Sequence, residues 1–134
     1  MNVVDSSAWL EYFADGPTAG EFAEVVSETE RLIVPSITLF EVFKRIRGQR
    51  DLDSALYAVA QMQRGTVVDL DGNLAIAAAE LSAESGLPMA DSVILATARA
   101  HEAVLWTQDS DFEGLEGVEY QAAPEKGSGP RLAP

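Results

Sequence analysis

The chain has 134 residues, 47% of them hydrophobic, which suits one globular domain with one sizeable core and argues against disorder. No apolar run reaches the length of a membrane span and no basic-then-apolar leader opens the chain. The absence of cysteine excludes disulfides and thiolate metal sites, as fits a cytoplasmic protein. Twenty-two acids against nine bases give a net charge of −13, which counts against broad binding of nucleic acid.

Asn2-Val3-Val4 reads as a short buried strand. Ser6 and Ser7 can each cap a helix carrying Trp9, Leu10, Tyr12 and Phe13, which Asp15-Gly16-Pro17 then breaks. A second helix is expected from about Thr18 to Glu30, with Phe22, Val25 and Val26 on one face. Leu32-Ile33-Val34 is a second strand, stopped by Pro35. Ser36 starts a helix with Leu39, Val42, Phe43 and Ile46 at helical spacing, ended by Gly48. Asp51 or Asp53 opens the next, with Leu52, Ala55, Leu56, Val59 and Met62 as its stripe and Gly65 as its end. Thr66-Val67-Val68 is a third strand. Asp71 caps an alanine-rich helix to about Ser85, with Gly86 as the stop, and Pro88 leads into a helix bearing Val93, Ile94, Ala96 and Ala98. Ala103 to Thr107 is a fourth strand, and Val118-Glu119-Tyr120 a fifth at the sheet edge. Residues 122–134, rich in Pro, Gly and Ser, read as a loose tail behind a domain over 1–121. Apolar strands between amphipathic helices predict an α/β sandwich with a central, mostly parallel sheet of about four to five strands.

Five acids follow strands or open helices: Asp5, Glu41, Asp91, Asp109 and Asp111. Loops after parallel strands gather at one sheet edge, where ligands bind, so acids distant in sequence can share one pocket. Clustered carboxylates repel, and a divalent cation is the usual remedy. Each acid also has a plain structural alternative. Asp5 and Asp91 can cap helices, although Ser6 and Ser7 leave Asp5 unneeded for that. Glu41 lies off the apolar stripe and can pair with Arg45 one turn on, worth about 0.3–0.5 kcal/mol. Asp109-Ser110-Asp111 can be an ordinary turn. It opens like a calcium loop, but Tyr120 stands where that loop needs a bidentate carboxylate. His101, the only histidine, leaves neither a zinc site nor an evident Ser/His/Asp triad. Trp9 and Trp106 read as core residues. Lys44, Arg45, Arg47 and Arg50, four of the nine bases, suit either a solvated helix C-terminus or phosphate contacts beside the acids.

In order and spacing, Val3-Val4-Asp5-Ser6-Ser7, Thr38-Leu39-Phe40-Glu41-Val42, Leu87-Pro88-Met89-Ala90-Asp91-Ser92 and Leu105-Trp106-Thr107-Gln108-Asp109-Ser110-Asp111-Phe112 resemble the four acidic segments of a PIN domain. The resemblance spans nearly the whole chain. At this length, with no further domain, it looks most like the VapC-type toxins of bacterial and archaeal toxin–antitoxin pairs. It implies a three-layer sandwich and a Mg²⁺- or Mn²⁺-dependent endoribonuclease acting on tRNA or other structured RNA. It also implies a catalytic quartet of Asp5, Glu41, Asp91 and Asp109, with Asp5, Asp91 and Asp109 as metal ligands. Asp111 falls where members vary and is expected to be auxiliary. Ser6 and Thr107 match positions whose hydroxyls help hold the pocket. The implied partners are an RNA substrate, a second copy of the chain, and a small cognate antitoxin that lays a helix in a groove. The charge of −13 is the departure from expectation.

Three other readings compete: a non-catalytic binding module, a housekeeping PIN nuclease, and a phosphoacceptor domain using Asp69. The last lacks a lysine near the end of strand four. The acid excess, with two lysines in the chain, also matches salt-adapted proteins, in which self-repulsion is screened. For a dimer, the expected apolar surfaces are the second helix and the Leu52–Met62 helix.

Overall fold

A computed structural model describes residues 1–123, so the expected tail lies almost wholly outside the described residues. In chain order the elements are β1 (Asn2–Val4), α1 (Ser6–Phe13), α2 (Gly20–Ser27), β2 (Leu32–Pro35), α3 (Ser36–Gln49), α4 (Leu52–Met62), β3 (Thr66–Val68), α5 (Gly72–Ser85), α6 (Met89–Ala100), β4 (Val104–Thr107) and β5 (Val118–Tyr120). Short 3-10 turns occupy Thr29–Arg31 and Ser110–Phe112. The strands form one sheet in the order β3-β2-β1-β4-β5, with every neighbouring pair parallel.

Successive strand residues point to opposite faces, and both faces here are covered. Val4, Leu32 and Val34 pack with Trp9, Phe22, Val42 and Met62 beneath α1 to α4. Val3, Ile33 and Leu105 pack with Ile94, Leu95 and Phe112 on the other side, against α6 and the turn after β4. A sheet buried on both faces needs apolar residues at every position, which is why the strands read as unbroken apolar runs. The result is the expected three-layer α/β sandwich. Among the described residues no helix is long and apolar enough to cross a membrane.

Several local expectations are corrected. Asp5, not Ser6 or Ser7, caps α1: its Oδ1 accepts from Ser7 N at 2.7 Å, and both serines lie inside the helix. The second helix is shorter than its apolar pattern, because Thr18 is drawn into polar contacts with Glu11 and Glu28 leaves helical geometry. Gly48 lies inside α3 rather than ending it. On α4 the buried face is Ala55, Ala58 and Met62, whereas Leu52, Leu56 and Tyr57 are exposed. Small side chains let α4 lie close, so the helix turns its larger residues outward. Phe22, Val25 and Val26 of α2 belong to the chain's own core, so α2 offers no free apolar face. Asp51 and Asp71 do cap α4 and α5, accepting from Ser54 N and Leu74 N, and Gly86 ends α5 at φ 78°.

Candidate active site

The chain builds the sheet outward from β1 through β2 to β3, then returns to lay β4 and β5 on the other side. The crevice beyond the C-terminal ends of β1 and β4 is therefore the switch point at which ligands bind in such sheets. Val4 is level with Trp106, so Asp5 comes level with Thr107. Asp5 N donates to Trp106 O at 3.0 Å, and Thr107 Oγ1 donates to Asp5 Oδ2. Ser7 Oγ donates to the same oxygen at 3.0 Å. Asp5 is buried, and burial pushes its carboxyl up to about 6 despite the bonds from Thr107 and Ser7. The Asp109 charge adds to the rise.

The other acids arrive from three directions. α3 follows β2 without a loop, which leaves Glu41 in its second turn at the same edge. Ser6 Oγ donates to Glu41 Oε1 at 2.5 Å. The pairing of Glu41 with Arg45 does not form; among the described residues the one ion pair is Arg31 with Glu28 at 3.7 Å. α6 ends just before β4 begins, so its first turn, with Asp91, lies at the opposite, C-terminal edge of the sheet. Asp91 is not the cap: Pro88 holds the N-cap position before Met89, and no side chain caps the helix. Asp91 is partly buried and pushed up to about 7. Burial is the largest cause, followed by the charges of Asp109, Asp5, Glu41 and Asp111. Four acids from the ends of β1 and β4 and from α3 thus bear on one carboxyl at the first turn of α6.

Asp109 carries both of the roles weighed for it. Its backbone N–H donates to Thr107 Oγ1 at 2.9 Å, and its Oδ1 accepts from Asp111 N at 2.9 Å, capping the short turn. That turn brings Asp111 inward. Asp91, Asp109 and Asp111 each place a carboxylate oxygen within 4.8 Å of the other two. The closely spaced trio therefore includes Asp111, expected to be auxiliary, while Asp5 stands beside it with its oxygens engaged by Ser7 and Thr107. An all-oxygen set of this kind is one that hard divalent cations such as Mg²⁺, Mn²⁺ and Ca²⁺ favour.

The acids open into a cleft of about 510 Å³ whose lining includes Asp5, Ser6, Glu41, Asp91 and Asp109, with Lys44 and Arg45 on the α3 side. The basic cluster divides here. Arg47 lines an adjoining apolar groove with Leu39, Phe43 and Val59, and Arg50 lies beside Phe13 and Tyr57. Asp69 follows β3 at the sheet's edge and is exposed, away from the acids, which leaves the phosphoacceptor reading without a site. Buried Glu11 and Gln108, joined through half-buried Thr18 and unnoticed in the sequence, form a polar group behind the cleft. The signal available was spacing, because Glu11 stands one helical turn after Ser7, on the same side of α1.

No curated protein matches the chain by sequence. Among solved structures, a toxin–antitoxin complex from Klebsiella pneumoniae matches with a TM-score of 0.75 at 22% identity, covering 89% of this chain and 96% of that one. VapC20 of Mycobacterium tuberculosis, a sarcin-ricin loop cleaving toxin, matches with a TM-score of 0.71 at 18% identity, over 87% of this chain and 95% of that one. DNA-bound VapBC from Salmonella typhimurium matches at 0.68 and 22%, over 91% and 98%. At these identities the likeness is one of fold. The PIN domain family model matches residues 3–118, a span that carries all five acids: the chain belongs to the PIN domain family.

Proposed function

We propose that the chain is the toxin of a type II toxin–antitoxin pair. In this reading it is a cytoplasmic, Mg²⁺- or Mn²⁺-dependent endoribonuclease that cuts tRNA or another structured RNA. The observation that carries the reading is the convergence of four acids on Asp91 at the switch point of a PIN fold. Two observations bear on the cation. Burial, and after it the charges of four neighbouring acids, push Asp91 up to about 7 with no described basic residue paired to it, and three carboxylates are close enough to bind one ion together.

Asp91, Asp109 and Asp111 would hold the ion, with Asp5 reaching it directly or through water. When bound, it lowers the pKa of a water and neutralises charge that develops on the phosphate. Glu41, fixed by Ser6, orients the attacking water and accepts its proton. Thr107 ties Asp5 to the Asp109 backbone, so both acids keep one spacing. Lys44 and Arg45 take phosphates at the rim of the cleft, and Arg47 and Arg50 meet only RNA that runs further along α3.

The neighbours that are toxin–antitoxin complexes support a small antitoxin as partner. A homodimer, with antitoxin added to it, accounts for apolar side chains left on the surface, such as Leu56 and Tyr57 of α4. The domain of residues 1–121 carries the activity.

The test is cleavage of total RNA and of tRNA by the purified chain in Mg²⁺ or Mn²⁺, with EDTA and Asp91→Asn as controls. Discrete metal-dependent fragments, absent from the variant, are expected. Cleavage that persists in Asp91→Asn would place the chemistry elsewhere. A folded chain that binds metal yet cuts nothing in total RNA would favour a binding module.

A further inference from the structure

Behind the acidic cleft, one fully buried carboxylate has no part in the chemistry above. Glu11 of α1 is 0% exposed. Its Oε2 accepts from both Thr18 N and Thr18 Oγ1, and its Oε1 has no partner. The turn between α1 and α2 closes on it so tightly that a Cβ at Gly16 would overlap the carboxylate. Burying a carboxylate with one oxygen unpaired is costly, and a methionine would fill the same space.

The geometry gives the acid a task. A carboxylate only accepts, so the Thr18 hydroxyl hydrogen is committed to Glu11 and the Thr18 oxygen is left to accept. It does so from Gln108 Nε2. Gln108 is itself buried, and its backbone N–H donates to Ser7 Oγ at 3.2 Å, which in turn donates to Asp5 Oδ2 at 3.0 Å. Gln108 lies in the chain between Thr107, which bonds Asp5, and Asp109. Glu11 thus sets the direction of the Thr18 and Gln108 side-chain bonds, and the backbone N–H of Gln108, which can only donate, sets that of Ser7.

We infer that Glu11, Thr18 and Gln108 are positioning residues: a polar relay from the α1–α2 turn locks the Thr107–Asp109 segment, so that Asp5 and Asp109 present their carboxylates together to a divalent cation. The inference rests on the nuclease reading and adds residues that touch neither metal nor RNA.

Three variants test it. Thr18→Val keeps shape and removes the relay oxygen, Thr18→Ser returns a hydroxyl, and Gln108→Met removes the amide while leaving the Glu11–Thr18 pair intact. Mn²⁺ affinity is measured by titration calorimetry without RNA, and kcat and KM are measured well below each variant's melting temperature. Thr18→Val and Gln108→Met should weaken Mn²⁺ binding and lower kcat by about 10- to 100-fold, the usual effect of removing outer support from a metal site, with KM for RNA little changed. Thr18→Ser should restore both. If Thr18→Val does not fold, Gln108→Met carries the same test. Variants that melt lower but bind Mn²⁺ and turn over like the parent would reduce the relay to fold stability and overturn the inference. A parent chain that neither binds Mn²⁺ nor cuts RNA would overturn the nuclease reading and the relay with it, a result distinguishable from the variants failing alone.

Discussion

Replacing Asp91 with asparagine should make the metal-free chain more stable at pH 8 and leave it unimproved by metal. The carboxyl of Asp91 ordinarily titrates at 3.8 and in the fold does so at about 7. A raised folded-state pKa means that the folded chain keeps a proton the unfolded chain has released. The stabilising contribution is therefore fully present below 3.8, declines as pH rises and is gone above about 7. At face value the interval corresponds to about 4 kcal/mol. Asp91 is only partly buried, and water screens the exposed Asp111 that contributes to the shift, so we take about 1–2 kcal/mol. Asparagine has the same shape and no charge to repel. In EDTA, Asp91→Asn should raise Tm at pH 8 by about 3–8 °C for a domain of this size, and by little near pH 4. Saturating Mg²⁺ or Mn²⁺ should raise the parent's Tm at pH 8 and leave the variant's almost unmoved, because binding only to the folded state stabilises it. Melting followed by circular dichroism at both pH values, with and without metal, gives the four comparisons. A variant no more stable than the parent at pH 8 in EDTA would refute the idea that burying the Asp91 charge among uncompensated acids costs stability at this site.

Arg45→Ala, on the cleft, should raise KM for RNA and flatten its salt dependence by about one unit of slope, whereas Arg50→Ala should do neither. Cleavage kinetics over a KCl series decide this, and equal effects would mean that RNA runs the length of α3. Gly16→Ala should cost about 1–3 kcal/mol in urea unfolding, because the new methyl overlaps the buried Glu11 carboxylate; an unchanged midpoint would show that the turn relaxes freely. With a net charge of −13 and one ion pair among the described residues, Tm should climb as KCl rises from about 0.1 M to about 1 M. A chain most stable in dilute buffer would contradict salt adaptation.

How much of the site is legible in the sequence depends on how local each signal is. Asp5 and Asp109 stand out because they come at the ends of apolar strands, and parallel strands deliver the residues after them to one edge. Glu41 and Asp91 stand out as acids early in helices that must lie antiparallel or adjacent to those strands. Asp111 is underrated because its place depends on a single turn that Asp109 caps, and a turn's conformation is not written in its composition. Treating Asp5 as either cap or pocket acid sets up a false choice, since one oxygen caps α1 while the other meets Thr107. Gln108 and Thr18 stand 90 residues apart, so no spacing rule could join them. The α4 stripe misleads for a related reason: which side of a helix faces inward is decided by how closely its neighbour approaches, and Ala55 and Ala58 permit the closer contact.

The strong negative charge and an RNA substrate are compatible once position is considered. Counterion release scales with the number of phosphates that bases neutralise, and among the described residues the bases that line the cleft are Lys44 and Arg45. Two such contacts give little general affinity, and acids elsewhere on the surface repel a phosphate backbone that arrives in any other orientation. Binding then depends on an RNA whose shape brings one phosphate to the acids while its neighbours reach α3. Under the proposed function, charge that would handicap an indiscriminate nuclease acts as discrimination against RNAs of other shapes. On this argument, charge-neutralising substitutions far from the cleft should broaden the set of RNAs cut before they increase the rate on the preferred one. Competition between the preferred RNA and bulk RNA in a single cleavage reaction would measure that order, and a uniform rate increase on all RNAs would refute it.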